Sequence, residues 1–272
     1  MRPSALPRSV VLAGCCLLGA CATDGLAPAA PVDFTLVPAV REVAVRSAPA
    51  SAERALRAYA LTIHTAGAGP AGRIDVVGRQ ARLPDGTLAT VTGSQAAGAF
   101  ARSRSLGLCG LVALRLDTVL GDRSYLPGDP AHAGELRFED GVHAGPATRM
   151  SVGELHVEGA PCAPRPSQAF TLELEARSEA LGPEAAGGQR GAVVHARYDC
   201  LAAPATEPAS RLHPALPGEM LRVACQRTAT PGAASGHLSY AWIASGSVYL
   251  LTAHRGQDVA QTYVYTDVVV EP

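Results

Sequence analysis

The chain has 272 residues with a formal charge of −1, and none of its 23 basic residues is a lysine; asparagine is also absent. Without lysine there is no P-loop, no Schiff-base nucleophile and no Ser–Lys dyad, and without asparagine there is no N-glycan acceptor. The arginines form no basic block, where a nucleic-acid binder would show a basic stripe, so nucleic acid is excluded as a partner.

Arg2 and Arg8 open the chain, an uncharged apolar run follows from Ser9 to Ala20, and the small residues Gly19 and Ala20 precede Cys21. This is the layout of an export signal, and the run falls short of the roughly 20 apolar residues that a spanning helix needs. Leu18-Gly19-Ala20-Cys21 resembles the lipobox of bacterial lipoproteins. The resemblance implies cleavage before Cys21, lipid attached to that cysteine, and, with Ala22 rather than Asp following, residence at the outer membrane facing the periplasm. An alternative box at Leu12-Ala13-Gly14-Cys15 leaves only a short apolar core, and an ordinary cleaved signal peptide is the plainer reading of the same stretch. Loss of Arg2 and Arg8 takes the formal charge from −1 to −3.

Residues 21–50 are rich in Ala and Pro and read as a tether that becomes structured toward its end, because Pro-rich segments act as extended spacers. The remaining 51–272 is expected to be one mainly β domain, an antiparallel sandwich or barrel with at most one or two short helices. Ser51 could cap a helix over Ser51 to Arg57, but that stretch runs directly into a strand at Tyr59 to His64. Ile74 to Val77 and Thr87 to Thr92 read as strands joined by the turn Leu83-Pro84-Asp85-Gly86, in which Pro presets φ and Gly accepts a positive one. Ser94 to Arg104 is ambiguous between helix and loop, and Leu106 to Leu120 reads as buried β structure. Gly121 to Gly134 reads as a long loop, followed by Leu136 to Glu139, a turn at Asp140-Gly141, and a strand at Met150 to Glu158.

Phe170, Leu172, Leu174 and Ala176 alternate with Thr171, Glu173, Glu175 and Arg177, and Val194 to Cys200 alternates likewise. The two segments read as arms of one hairpin with pairing charges on the wet face; the other reading makes 178–191 a domain boundary. Ser245-Gly246 turns His237 to Ala244 into Ser247 to His254, a register that sets Trp242 against Tyr249, Tyr240 against Leu251 and Ile243 against Val248. Gly256-Gln257 then turns the chain into Val259 to Val270, a three-stranded meander. Five of the seven tyrosines and the only tryptophan lie from Tyr198 onward, so the packing anchor belongs here.

Cys109, Cys162, Cys200 and Cys225 lie in the exported part and suggest two disulfides. Three pairings are open, the sequential one, Cys109 with Cys162 and Cys200 with Cys225, being the preferred expectation. The paired C-x-x-C spacing of structural zinc sites is missing. The meander register also sets His237 opposite His254 with Asp258 nearby, two ligands of a potential zinc or copper site, although exposed strand-end histidines account for them equally. Glu154, His156 and Glu158 share one strand face, a ligand-like row that alternation alone also produces on a solvated wall. Neither G-x-S-x-G, H-E-x-x-H, an EF-hand loop nor a dinucleotide fingerprint occurs. The leading functional expectation is a non-catalytic binding or structural role toward an envelope protein partner, with no cofactor. A periplasmic hydrolase with an unrecognised site and a metal-binding envelope protein are the alternatives. Aromatics of the C-terminal sheet could form a recognition face or a core.

Overall fold

The computed structural model describes residues 34–49, 55–67, 72–96, 99–120, 147–181, 191–230 and 235–271. The described chain is a helix, α1 (Pro38–Ser47), followed by twelve strands. These are β1 (Ala55–Gly67), β2 (Gly72–Arg82), β3 (Leu88–Ala96), β4 (Ala99–Leu108), β5 (Val112–Leu120) and β6 (Ala147–Glu158), then β7 (Ala169–Leu181), β8 (Ala192–Pro208), β9 (Glu219–Ala229), β10 (Gly236–Ile243), β11 (Val248–Gly256) and β12 (Val259–Glu271). Each strand pairs antiparallel with its neighbours in sequence, and β1 closes onto β12, giving a closed barrel. Closure removes the unpaired edges that an open antiparallel sheet exposes.

Period-two alternation sorts the side chains into two faces. Leu172, Tyr198, Val223, Tyr240, Trp242 and Tyr249 are on the lumen side, because the hydroxyl of Tyr240 donates to Leu111 O (3.1 Å) and that of Tyr249 to Pro161 O (2.6 Å), both contributed by connections from the far wall. Residues between them, such as Glu173, Glu175, Arg177, Arg197 and Asp199, face outward. These charges suit water and not hydrocarbon, where they would be costly.

The floor of the barrel is built by the β4–β5 and β6–β7 connections. The first reaches β11, where Tyr249 N donates to Cys109 O at 2.8 Å. Gly110 sits at φ +80°, and a Cβ there would fall 2.7 Å from Tyr249 O, so both the backbone conformation and the close approach require glycine. The disulfide Cys109–Cys162 ties the two floor connections together, and Cys200–Cys225 links directly opposed residues of β8 and β9, the sequential pairing.

The expected hairpin is present, with Phe170 opposite Cys200 and Glu173 opposite Arg197. Ser94 to Arg104, ambiguous in sequence, is the end of β3 and most of β4. The long loop, the Leu136 to Glu139 strand and the Asp140-Gly141 turn lie outside the described residues, as do Cys21 and most of the tether.

Two expectations are corrected. Ala55 to Arg57 belong to β1 rather than to a helix beginning at Ser51, since cross-strand pairing with β12 overrides a weak cap signal. The helix lies instead at Pro38–Ser47, inside the stretch read as tether. Pro38 occupies its first turn, where a missing N–H costs nothing, and Val40 and Ala44, one helical turn apart, are fully buried. The helix packs against β6, and with Leu36 these two residues join the buried cluster that also holds Leu106, Leu114 and Val152. Phe34 completes this clasp, its ring 4.2 Å from the Arg104 guanidinium and 5.1 Å from that of Arg115, while Arg115 Nη1 donates to Thr35 O at 2.9 Å.

Candidate functional site

Among the described residues, a groove runs along the outer wall of the barrel and a hollow lies in its lumen. The outer groove has a volume of 670 Å³ and runs between α1, which supplies Ala39 and Val43, and β6 to β9, which supply Glu154, His156, Glu173, Glu175, His195 and Arg197. A register shift between Val152 and Glu154, at Gly153, brings Glu154 directly opposite Glu175. Like charges facing each other across a strand pair are unfavourable. Glu175 finds partial relief in His195, whose Nδ1 is 3.6 Å away. Arg197, the only arginine lining the groove among the described residues, is shared between Glu173 and Asp199. These carboxylates hold its guanidinium pKa above the ordinary value, the Asp199 hydrogen bond being the largest cause. Three glutamates against one engaged arginine leave the groove acidic.

The lumen hollow, about 280 Å³, is lined by Tyr59, Leu61, Ile63, Val76, Gln80, Thr90, Thr92, Ser105, Tyr263 and Tyr265 among others, none of them charged. It follows from sequence through side-chain volume. A barrel of about eight strands is just wide enough for side chains to fill, and twelve strands enclose more space. On β6 to β11 the lumen positions carry Leu172, Tyr198, Tyr240, Trp242 and Tyr249, which fill that half; Trp242 and Tyr249 have ring centroids 4.7 Å apart. On β2 to β4 the corresponding positions are Gly78, Thr90, Thr92, Ser103 and Ser105, too small to reach the middle. Tyr59 leans over Gly78, where a Cβ would fall 2.3 Å from the ring. Burial pushes the hydroxyl pKa of Tyr263 and Tyr265 upward, so both remain neutral hydrogen-bonding groups. Tyr265 donates to Leu251 O at 3.2 Å and Tyr263 to Gln261 Oε1 at 3.1 Å. Gln80 Oε1, by contrast, is buried with no hydrogen-bond partner among the described residues.

The expected opposition of His237 and His254 is corrected. A register shift between Ser239 and Tyr240 sets His237 opposite Arg255 and Leu238 opposite His254, so the two imidazoles project from opposite faces of the sheet. The bulge leaves the lower register as expected, with Trp242 opposite Tyr249, Tyr240 opposite Leu251 and Ile243 opposite Val248. His254 Nδ1 lies 3.4 Å from Gln261 Oε1. Among the described residues no three His, Cys, Asp or Glu side chains converge as metal ligands. Glu154, His156 and Glu158 share the outer face as expected, His156 lying 3.6 Å from Glu158 and strongly exposed. The aromatic C-terminal sheet turns inward, since Tyr240, Trp242 and Tyr249 are buried, and forms core rather than an exposed recognition face.

Sequence reasoning missed Gln80 and the contribution of α1 to the groove. Leu36, Val40 and Ala44 carry a four-residue apolar spacing that marks the helix, whereas nothing local distinguishes Gln80 from an outward polar residue. No family model, no curated protein and no solved structure matches the chain.

Proposed function

We propose that the chain is an exported lipoprotein, acylated at Cys21 and held at the outer membrane facing the periplasm, where it acts as a non-catalytic binding protein for a basic segment of an envelope protein. The observation that carries the binding role is the acidic outer groove, in which Glu154 stands opposite Glu175 and Arg197 is occupied by Glu173 and Asp199. A lysine- or arginine-rich segment would relieve that repulsion, and Ala39 and Val43 offer its stems an apolar wall. The export signal before Cys21 and two disulfides, which persist in oxidising compartments, support the envelope assignment.

The groove is tested by calorimetric titration of the purified full-length chain with an arginine-rich peptide and with its glutamate-substituted counterpart. Saturable one-to-one binding of the basic peptide alone, weakened by salt and lost in a Glu154→Arg, Glu175→Arg variant, is expected. Binding that survives this charge reversal overturns the assignment. The anchor is tested separately by metabolic labelling with a radioactive fatty acid, expected on the native chain and lost in Cys21→Ser. Equal labelling of both removes it.

A further inference from the structure

We propose that the outer groove is gated by pH: His156 and His195, charged in mildly acid medium, stand in for the basic segment, so that the groove holds its partner at neutral pH and releases it at about pH 5.5. Gating presupposes the groove's role as a seat for a basic segment and adds its regulation.

Charge comes first. Among the described residues that line the groove, three glutamates and one arginine give a net charge of −2 while the histidines are neutral. Histidine in its ordinary state is the side chain whose charge changes between about pH 5 and 8. The lining holds two of them, His156 and His195, and two imidazolium ions cancel the charge that attracts a basic segment.

Position comes second. His195 lies directly opposite Glu175 in the β7–β8 ladder, with Nδ1 3.6 Å from the carboxylate. Glu175 is also the residue that faces Glu154 across β6–β7. An imidazolium at that distance neutralises one of the two opposed carboxylates, and so relieves from within the repulsion that a lysine or arginine would relieve from outside. His156 lies opposite Glu173, and its Nε2 is 3.6 Å from Glu158. Once charged, it joins Arg197 as a second cation beside Glu173. The proton and the partner thus compete for the same carboxylates.

Surroundings come third. The charged groups facing the two rings are Glu154 and Glu158 on β6, Glu173, Glu175 and Arg177 on β7, and Arg197 and Asp199 on β8. From β9 and α1 the groove receives only uncharged side chains among the described residues, and Glu42 of α1 is paired with Arg46 at 3.9 Å. Carboxylates and guanidinium groups in ordinary surroundings keep their charge between about pH 5.5 and 7.5, so the histidines are the groups that change. Their side chains are 68% and 59% exposed, and protonation needs no opening of the fold.

The purified full-length chain is titrated calorimetrically with an arginine-rich peptide, blocked at both ends so that it carries no group titrating in this window, at constant ionic strength. Affinity should fall about tenfold from pH 7.5 to pH 5.5, the worth of two solvent-screened ion pairs. At about pH 6.5 binding should release protons, read from its heat in buffers of different ionisation enthalpy, because proton and peptide weaken each other's binding by the same factor. In the His156→Gln, His195→Gln variant the ratio of the two affinities should approach one, whatever the affinity at pH 7.5. Peptide binding that is equally tight at both pH values, that releases no protons, or that keeps its pH ratio in the double variant overturns the gating and leaves the groove assignment standing. Absence of saturable binding at pH 7.5 overturns the groove assignment and the gating with it. If the double variant fails to fold, proton release by the native chain decides alone.

Discussion

Asp117 on β5 is surrounded by guanidinium groups. Its carboxylate accepts from Arg104 at 3.2 Å and from Arg149 at 3.0 Å, with Arg115 Nε 3.8 Å away, and its side chain is only 6% exposed. Removing one partner from a buried charge cluster leaves the others uncompensated, which costs about 3 kcal/mol or more. Asp117→Asn should therefore lower the denaturation free energy by about that amount. The exposed Asp199, which also binds an arginine, supplies the comparison: Asp199→Asn should cost less than about 1 kcal/mol, as solvent-screened pairs do. Equal costs in urea unfolding would show that burial of Asp117 contributes nothing. These residues also mark the limit of what single positions disclose. Alternation in β7 and β8 was legible, so the outward Glu173–Arg197 pair could be foreseen, but a one-residue bulge in β10–β11 parted His237 from His254. Bulges depend on twist and contacts across the barrel, and neither is written in a local pattern.

At the scale of elements, the two disulfides have different neighbours. Cys200–Cys225 spans adjacent strands that the β8–β9 ladder already holds together, closing a separation of 25 residues. Cys109–Cys162 joins two connections with no ladder between them, across 53 residues. Loop-closure entropy gives about 3.5 kcal/mol for the first and about 4 kcal/mol for the second, a small difference. The larger contrast is local. Replacing Cys109 and Cys162 by serine should loosen the floor, weaken the Tyr249–Pro161 contact and make Trp242 more accessible to acrylamide quenching. The Cys200→Ser, Cys225→Ser variant should lose comparable stability without that increase in quenching. Identical quenching in both variants would show that the floor does not depend on its disulfide. Cysteine order left three pairings open, of which the preferred, sequential one is formed, and the turn residues at 83–86 and 245–246 made two connections readable. Helix α1 was obscured because its Ala and Pro content resembles a spacer, and its stability derives from packing against β6, far away in sequence.

At the scale of the whole molecule, the tyrosines of the lumen couple stability to alkali. Burial raises the hydroxyl pKa of Tyr240, Tyr249 and Tyr265 above the ordinary 10.0, and each donates a hydrogen bond that ionisation would break. In the unfolded chain they ionise near their ordinary value. Their contribution is thus fully present below about pH 10 and declines as pH rises toward the folded-state values. Denaturant midpoints should hold steady up to about pH 9.5 and then fall, with tyrosinate absorbance of these residues appearing together with unfolding. Absorbance that grows smoothly while the barrel remains folded would show that the lumen does not protect them. The antiparallel β character was legible from alternation and turn spacing, and twelve-strand closure was not, because pairing of β1 with β12 joins the two ends of the domain and leaves no mark in either strand alone.

The clasp formed by Phe34 and α1 also determines how the molecule meets mechanical load. Tension entering through an anchored Cys21 arrives first at Phe34, held against Arg104 and Arg115, and then at Val40 and Ala44, which lie flat on the outer wall. The pull is resisted sideways by these contacts before it reaches Ala55, the first residue of the strand that closes the barrel. If the chain is anchored at Cys21 as proposed, these wall contacts stand in series before the β1–β12 pairing that closes the lumen.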